Sequence, residues 1–525
     1  MIERVVENWL TSANERQYQI PFCQVLASEG ETVLYISSHG ALEQGKDIVT
    51  LGPEKVPRAY QLKSGNLKLP EWQRFKGEID ELVELPISTA IVRSRQHHRP
   101  YFVTNGRIGE TVLNRIETAN KVWRRHNPRA LQAVQGHELV SRFIKAHGSF
   151  LPRETEAFSN LLELIVNSGA GPFDKARFSE FLESTLRLSG ASITPRDAGR
   201  SITNAVLLTS YIVQNCERAG NHWALFEAWV VTASYILAMA SKYRMAAKWW
   251  NGSFALCCLA AVRALDALCQ ECAGNQTAFI QGDPLTDGDF YPMRMTILAG
   301  TLSALSLYHR LKSEKWERQD YVHDFLSEHI KDAKIWGESA TPYMVAAALE
   351  LEHHGAHRHA ERLIVQMMHS ILALNSQKGR GFANPYYGPE QVFRLFSGMD
   401  PMNSEVFIGH SYHLEALIEM LARRLLRTTL AHFWEKITRV HFTWFKPAED
   451  WQWFRWHTYD GILEQKTPNA PQSWSALLEA SEGGPIEVPA LLRDRPEFAV
   501  LFMLVFPHRF GVGLMRLIDH ALQRV

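Results

Sequence analysis

Glu43-Gln-Gly45-Lys-Asp47-Ile-Val-Thr50-Leu-Gly-Pro53, followed by Arg58-Ala-Tyr60-Gln61-Leu-Lys63, is the stretch around which the chain is organised. Asp47 opens a β-branched run, Gly52-Pro53 turns the chain, and Arg58 to Leu62 forms a second short apolar strand, so the spacing predicts a hairpin. Side chains alternate faces along a strand, which puts Gln61 and Lys63 on one face and Tyr60 and Leu62 on the other. A carboxylate, an amide oxygen and an ammonium thereby converge at one sheet edge. Phosphodiester hydrolysis needs such a set: hard oxygen ligands for a divalent ion, and a cation beside the attacking water and the developing negative charge. Lysine serves there as a compact point charge. The same residues also fit an ordinary hairpin with polar outer positions.

At these residues the chain resembles the PD-(D/E)XK, or restriction-endonuclease-like, superfamily. The resemblance is closer to its Mrr-type branch, in which Asp is followed by Gln-x-Lys in place of Glu-x-Lys. It implies that Asp47 and Gln61 help hold Mg²⁺ (or Mn²⁺) and that Lys63 positions or activates the water. Gly45-Lys46-Asp47 resembles the Gly-x-Asp approach to the metal in that branch. A glutamate on the first helix often contributes to the metal site of such nucleases, and Glu15 is the matching position; Ser12-Ala-Asn-Glu15 also reads as a capping box. Glu43, in the loop before Asp47, is a further candidate ligand and equally a solvated loop glutamate. The resemblance covers residues 1–150.

Within that region Tyr18, Phe22, Val25 and Leu26 make one helical face, interrupted in sequence by Pro21, and Thr32 to Ser37 reads as a strand. Pro70 to Leu85 carries an apolar stripe of Trp72, Phe75, Ile79, Leu82 and Val83. Arg99 to Gly106 reads as a strand and turn, with a helix from near Ile108, then a short strand after Leu131 and a helix from His137. This order predicts an α/β sandwich. The whole chain of 525 residues is charge-neutral, with 56 basic and 56 acidic residues, which excludes a global nucleic-acid signature. Locally the balance differs: from Arg93 to Phe150 there are 11 basic residues against 3 acidic ones. The strand, Gly-containing turn and helix from Arg99 match the latter half of the resembled nuclease core, and the resemblance implies that Thr104, Asn105 and neighbouring arginines such as Arg99 lie at the sheet edge against a phosphate backbone; Trp123-Arg124-Arg125 suits phosphate contact with stacking, or simply a solvated helix end.

Beyond Pro152 the periodicity becomes helical, with segments of 12 to 20 residues separated by Gly, Pro or Asn. The expected architecture is thus a restriction-endonuclease-like α/β domain over 1–150, followed by a large all-α domain over 151–525, an irregular bundle or α-solenoid-like array without a repeat period. Its expected role is to sense a signal or bind a partner. Hydrophobic residues at 46% and charged residues at 21% describe a soluble globular chain. Six cysteines form no disulfide framework, and Cys269-x-x-Cys272, lacking a second pair, reads as buried thiols. The apolar segments His222 to Ala240 and Phe254 to Cys269 are interrupted by Glu227, Arg263 and Asp266 and read as core helices, and the N-terminus lacks a signal-peptide pattern. A cytoplasmic protein without membrane contact is expected.

Other clusters take bland readings first. His353 and His357 stand four apart, the spacing of a helical metal pair, and equally of a polar helix end. Asp283, Asp287 and Asp289 lack EF-hand spacing. Trp444, Trp451, Trp453 and Trp456, with Phe445, Phe454 and Arg455, make the densest aromatic patch, read as packing first and as a stacking surface second. Taken together, the expectation is a metal-dependent endonuclease acting on DNA. The resemblance sets it in a restriction or anti-phage defence system; a homo-oligomer and a partner protein such as an NTPase are also expected. An RNA-cleaving nuclease and a catalytically inactive nucleic-acid-binding or assembly module are the alternatives.

Overall fold

The computed structural model describes residues 2–37, 44–88, 91–92, 97–125, 127–147, 155–190, 193–274, 290–375, 382–396, 406–407, 409–457, 461–468 and 473–525. Glu43, Arg93, Arg95 and the acidic loop of Asp283, Asp287 and Asp289 lie outside these residues. The chain divides into two compact units, Met1–Ala267 and Leu268–Val525.

The first unit begins with α1 (Ile2–Ser12) and α2 (Glu15–Ser28), then β1 (Thr32–Ile36), β2 (Ile48–Leu51), β3 (Pro57–Lys63), α3 (Leu69–Glu84), β4 (Arg99–Thr104), α4 (Glu110–Trp123), β5 (Gln132–Val134) and α5 (Gly136–His147). The strands form one mixed sheet in the order β1-β2-β3-β4-β5. The first three are antiparallel neighbours, and β3-β4 and β4-β5 are parallel. Antiparallel pairs need only a turn, whereas each parallel pair needs a crossover, and α3 and α4 supply them.

The pleat sorts the side chains. Val49, Ala59 and Phe102 pack with Trp72, Ile79 and Leu82 of α3 and Val112, Ile116 and Trp123 of α4. On the opposite face Tyr60 meets Phe22 of α2 edge-on at 5.6 Å and stacks on Tyr101 at 4.7 Å. The sheet thus lies between helix layers. α2 is started by Asn14, whose side chain accepts from Gln17 N–H (3.0 Å) while the Gln17 amide oxygen accepts from Asn14 N–H (3.0 Å). The capping box is therefore formed by Asn14 and Gln17 rather than by Ser12 and Glu15, and Glu15 is the first helical residue. Pro21 lies inside α2, which continues through it.

Among the described residues this unit continues with α-helices α6 (Thr155–Asn167), α7 (Lys175–Leu186), α8 (Pro195–Ile212), α9 (Gln214–Arg218), α10 (His222–Lys242) and the greater part of α11 (Asn251–Gly274). α2 is bound to them through Gln24, which donates to Thr203 Oγ1 (3.3 Å) and Ser253 Oγ (3.1 Å). The sheet ends with β5 at Gln132–Val134, and among the described residues helices alone follow through the rest of the first unit, but the compact units divide after Ala267, with α2 packed on α8. By length and composition α10 and α11 are apolar enough to cross a membrane, yet 94% and 61% of their most apolar windows are buried inside the fold. Glu227, in the first half of α10, is 1% exposed and pairs with Lys175.

The second unit is predominantly helical but not all-α. Among its described residues Phe382–Ala383 (β6) pairs with Val406–Phe407 (β7), and His410–Ser411 (β8), His441–Pro447 (β9) and Gly461–Lys466 (β10) form a sheet in the order β10-β9-β8. The run His441-Phe-Thr-Trp-Phe445, rich in aromatic and β-branched residues, favours a strand over a helix. Part of the aromatic patch is core. Trp453 stacks on Phe502 at 5.0 Å, Phe454 is fully buried, and Trp456 packs on Phe506 and His508.

His98 marks the junction of α3 and β4. It is 2% exposed, its Nε2 lies 2.7 Å from the Leu82 carbonyl, and burial pushes its pKa down to about 4. The unfolded imidazole, at about 6.5, binds the proton that the folded one refuses, so between pH 6.5 and 4 stability falls as pH falls. Denaturant unfolding against pH is expected to show that His98→Gln removes a loss on the order of 3 kcal/mol across that window. An unchanged pH slope in the variant contradicts this assignment.

Candidate functional site

The end of β3 and the residue before β2 build the site. Asp47 N–H donates to the Tyr60 carbonyl (2.8 Å) and Ser37 N–H donates to the Asp47 carbonyl (2.7 Å), which extends the β1-β2-β3 ladder by one residue. Because Ile48 pairs with Tyr60, that extension sets Asp47 opposite Gln61. The Asp47 carboxylate then accepts the Leu62 N–H at 2.6 Å, and the side-chain amide of Gln19 donates to the Asp47 carbonyl at 3.1 Å. Tyr18 OH donates to the Lys63 carbonyl at 2.8 Å. Burial, reinforced by Glu15 and Asp47, holds the Tyr18 phenol well above its usual pKa, so it remains a donor.

Gln61 and Lys63 do share one face, and it is the face of α3. Lys63 Nζ stands 2.7 Å from Glu78 Oε2 and 3.8 Å from Glu15 Oε2, with the Phe75 ring centroid 4.6 Å away. Gln61 Nε2 donates to the same Glu78 oxygen at 3.3 Å. The other end of that amide is informative: Gln61 is 4% exposed, and its Oε1 is buried with no hydrogen-bond partner. A buried carbonyl oxygen left without a donor costs about 1–3 kcal/mol.

These residues fit a hard divalent cation. Mg²⁺ keeps several waters and asks for one or two carboxylates and neutral oxygens, which the Asp47 carboxylate, the orphaned Gln61 oxygen and the Glu78 carboxylate offer. Among the described residues no three His, Cys, Asp or Glu side chains gather as a metal cluster. A ligand set here therefore has to include the amide. Glu15 sits beside Lys63, and its Oε1 also accepts from Ser64 N–H at 3.3 Å.

Glu78 is the residue that sequence reasoning missed. It lies three residues after Phe75 and four before Leu82, on the border of the α3 apolar stripe. A carboxylate at that border was the available signal, but only the packing of α3 against β3 shows which strand residues it reaches.

The residues expected to touch nucleic acid are placed differently. Asn105 is 7% exposed and spent on backbone: its Nδ2 donates to the Leu10 and Ala13 carbonyls (2.6 and 2.8 Å), and its Oδ1 accepts from Gly65 N–H (2.7 Å). It clamps α1 to the β3–α3 turn rather than facing a phosphate. Thr104 is fully buried and donates to the Gly65 carbonyl. Arg99 opens β4 at the end remote from the Lys63–Thr104 pair and lies 3.4 Å from Glu54. Five strand steps put it roughly 16 Å along the sheet from Lys63. Arg124 and Arg125 follow α4, beside Asn127, which donates to the His98 carbonyl, so they too occupy the far end and not the Lys63 edge. Trp123 is 3% exposed and donates to Asp80, which makes it core and removes it as a stacking platform.

In the second unit His353 ends one helix and His357 begins the next, with Gly355 at φ +77° between them, so the pair does not share a helix. His354 instead meets Glu350 at 3.1 Å. Cys269 and Cys272 are buried thiols.

Comparison with protein-family models, with curated proteins and with solved structures finds no match to this chain.

Gly45 sets the approach of the Asp47 segment to α3. Its φ is +70°, and a Cβ there would overlap the Glu78 carbonyl oxygen. Gly77, exposed within α3, has open space where a Cβ would stand. Gly45→Ala is expected to cost about 1–3 kcal/mol in urea unfolding, from strain and overlap, while Gly77→Ala gains about 0.5–1 kcal/mol as an ordinary helix substitution. Equal responses of the two variants would show that the close approach is not a constraint.

Proposed function

We propose that the chain is a metal-dependent endonuclease that hydrolyses DNA phosphodiester bonds, and that the sheet with its flanking helices in the first unit is a restriction-endonuclease-like domain. The observation that carries the reading is that Asp47, the orphaned Gln61 oxygen and Lys63 lie at one end of the central strand β3, with Asp47 bound to Leu62 N–H between them and Glu78 and Glu15 beside the ammonium. The mixed sheet, antiparallel through β3 and parallel after it, also supports it.

Asp47 and Gln61, with Glu78 and Glu15 adjacent, would hold Mg²⁺ or Mn²⁺. When bound, the ion supplies polarisation of the phosphoryl group and neutralisation of the charge that develops on it. Lys63 orients the attacking water and stabilises the growing negative charge on the phosphoryl oxygens. Glu78 and the Phe75 ring fix the ammonium in place, so little reorganisation is needed as the charge appears. Asp47 is itself held on both sides, by Leu62 N–H and by Gln19. The helical region over 151–525 senses a signal or docks a partner such as an NTPase. The setting is a cytoplasmic restriction or anti-phage defence system, which rests on the family resemblance.

A second reading is a catalytically inactive nucleic-acid-binding module. The amide at position 61, in a site without a cluster of three carboxylates among the described residues, favours it, because an amide contributes no charge to hold a cation.

Incubation of the purified full chain with plasmid DNA and with RNA, in Mg²⁺, Mn²⁺ or EDTA, separates these readings. The expected result is metal-dependent DNA cleavage, reduced at least about 10²-fold by Asp47→Ala and by Lys63→Ala, and retained by Gln61→Glu. Cleavage of RNA alone reassigns the substrate. Metal-independent cleavage, or cleavage that survives both alanine variants, overturns the site assignment.

A further inference from the structure

Gln19 of α2 is 4% exposed, and both ends of its side-chain amide are engaged. Its Oε1 accepts from the guanidinium of Arg263, and its Nε2 donates to the Asp47 carbonyl at 3.1 Å. Arg263 belongs to α11, 244 residues further along the chain, yet within the same compact unit. The two partners decide which way the amide faces. A guanidinium carries only donors and a carbonyl only accepts, so the arginine takes the Gln19 oxygen and leaves the NH₂ for Asp47. Without the arginine, the amide loses the group that holds its oxygen away from the Asp47 carbonyl. Burial works against the charge on Arg263, as does Arg16, while Glu217 and Asp47 favour it, so Asp47 is coupled to the guanidinium through space as well as through Gln19.

We propose, resting on the reading of Asp47 as a metal ligand, that Arg263 acting through Gln19 is a positioning residue for that site. The Asp47 carbonyl also accepts from Ser37 N–H (2.7 Å), and the carboxylate accepts from Leu62 N–H (2.6 Å). The residue is thus pinned by the sheet on one side and, through Gln19, by a helix outside the sheet on the other. Groups that orient a ligand without touching the ion commonly set its affinity, because a ligand already in place rearranges little when the cation arrives. α11 thereby takes part in shaping a site built on β2 and β3. Gln24 provides the control. It lies on the same helix as Gln19, and its side chain donates to Ser253 of α11 and Thr203 of α8. Gln24→Leu therefore loosens the α2–α11 contact without removing a bond to Asp47.

The test follows the full chain by amide hydrogen exchange in EDTA and by isothermal titration with Mn²⁺, with folding of each variant verified by its melting curve. The Leu62 amide reports on the Asp47 carboxylate that it bonds. In EDTA it is expected to exchange about three- to tenfold faster in Gln19→Leu and in Arg263→Met, the worth of one hydrogen bond. It should be no faster in the Gln19→Leu/Arg263→Met double variant than in Gln19→Leu, and unchanged in Gln24→Leu. Arg263→Lys keeps a donor for the Gln19 oxygen and should recover part of the loss. Mn²⁺ affinity is expected to fall roughly tenfold in Gln19→Leu, and less in Arg263→Met, where loss of a nearby positive charge favours the cation. Unchanged Leu62 exchange in both single variants, effects that add in the double variant, or an equal effect in Gln24→Leu overturns the proposal. Absence of saturable Mn²⁺ binding by wild type overturns the metal reading and with it the role given to Arg263, whereas equal binding by wild type and Gln19→Leu overturns that role alone.

Discussion

The hydrogen bond from Leu62 N–H to the Asp47 carboxylate is the contact on which the rest of the first unit depends. It lies just past Ile48–Tyr60, the pair that ends the β2-β3 ladder, and it binds the loop before β2 to the residue between Gln61 and Lys63. Helices on both faces attach to the same place. From one side Tyr18 and Gln19 of α2 bond to the carbonyls of Lys63 and Asp47. From the other, Gly45 lets the loop touch α3, and Lys46 reaches the Glu81 carbonyl near the C-terminal end of that helix. An ammonium is favoured there by the helix dipole, although burial brings its pKa down to about 8. Loss of the Asp47–Leu62 contact would free a segment that both helix layers hold.

The electrostatics of the site point the same way. Around Lys63 the structure gathers Glu78 and Glu15, with Asp47 and Gln61 close along the ladder. The buried Gln61 oxygen without a donor is costly for stability alone, while the Glu78 and Glu15 carboxylates stay partly solvated; such a set of oxygens is useful where a divalent ion and a phosphate are to be brought together.

Much of this is legible in the residues. Strand periodicity places Gln61 and Lys63 together and opposite to Tyr60, and the β-branched run after Asp47 locates β2. Local signals suffice there because alternation on a strand is a local property. Glu78 stays hidden because a helix residue reaches a strand only through packing, and no spacing rule encodes the rotation of α3 against β3. Asn105 and Thr104 mislead for a related reason: polar residues at a strand end resemble a phosphate-binding edge until their partners are known to be backbone groups of α1 and of the turn at Gly65. Trp123 reads as an aromatic among arginines, and only tertiary structure shows it buried against Asp80. The small strands of the second unit are lost in a helical context, since runs of two to seven residues carry little periodicity.

The central claim, that Asp47 and Gln61 form the core of a divalent-cation site, is tested most directly by titrating Mn²⁺ into the full chain and following bound metal by electron paramagnetic resonance. One saturable site is expected, weakened at least about tenfold by Asp47→Asn and by Gln61→Leu and preserved or tightened by Gln61→Glu. Binding that is equal in wild type and Asp47→Asn, or no saturable binding by the folded wild type, would contradict it.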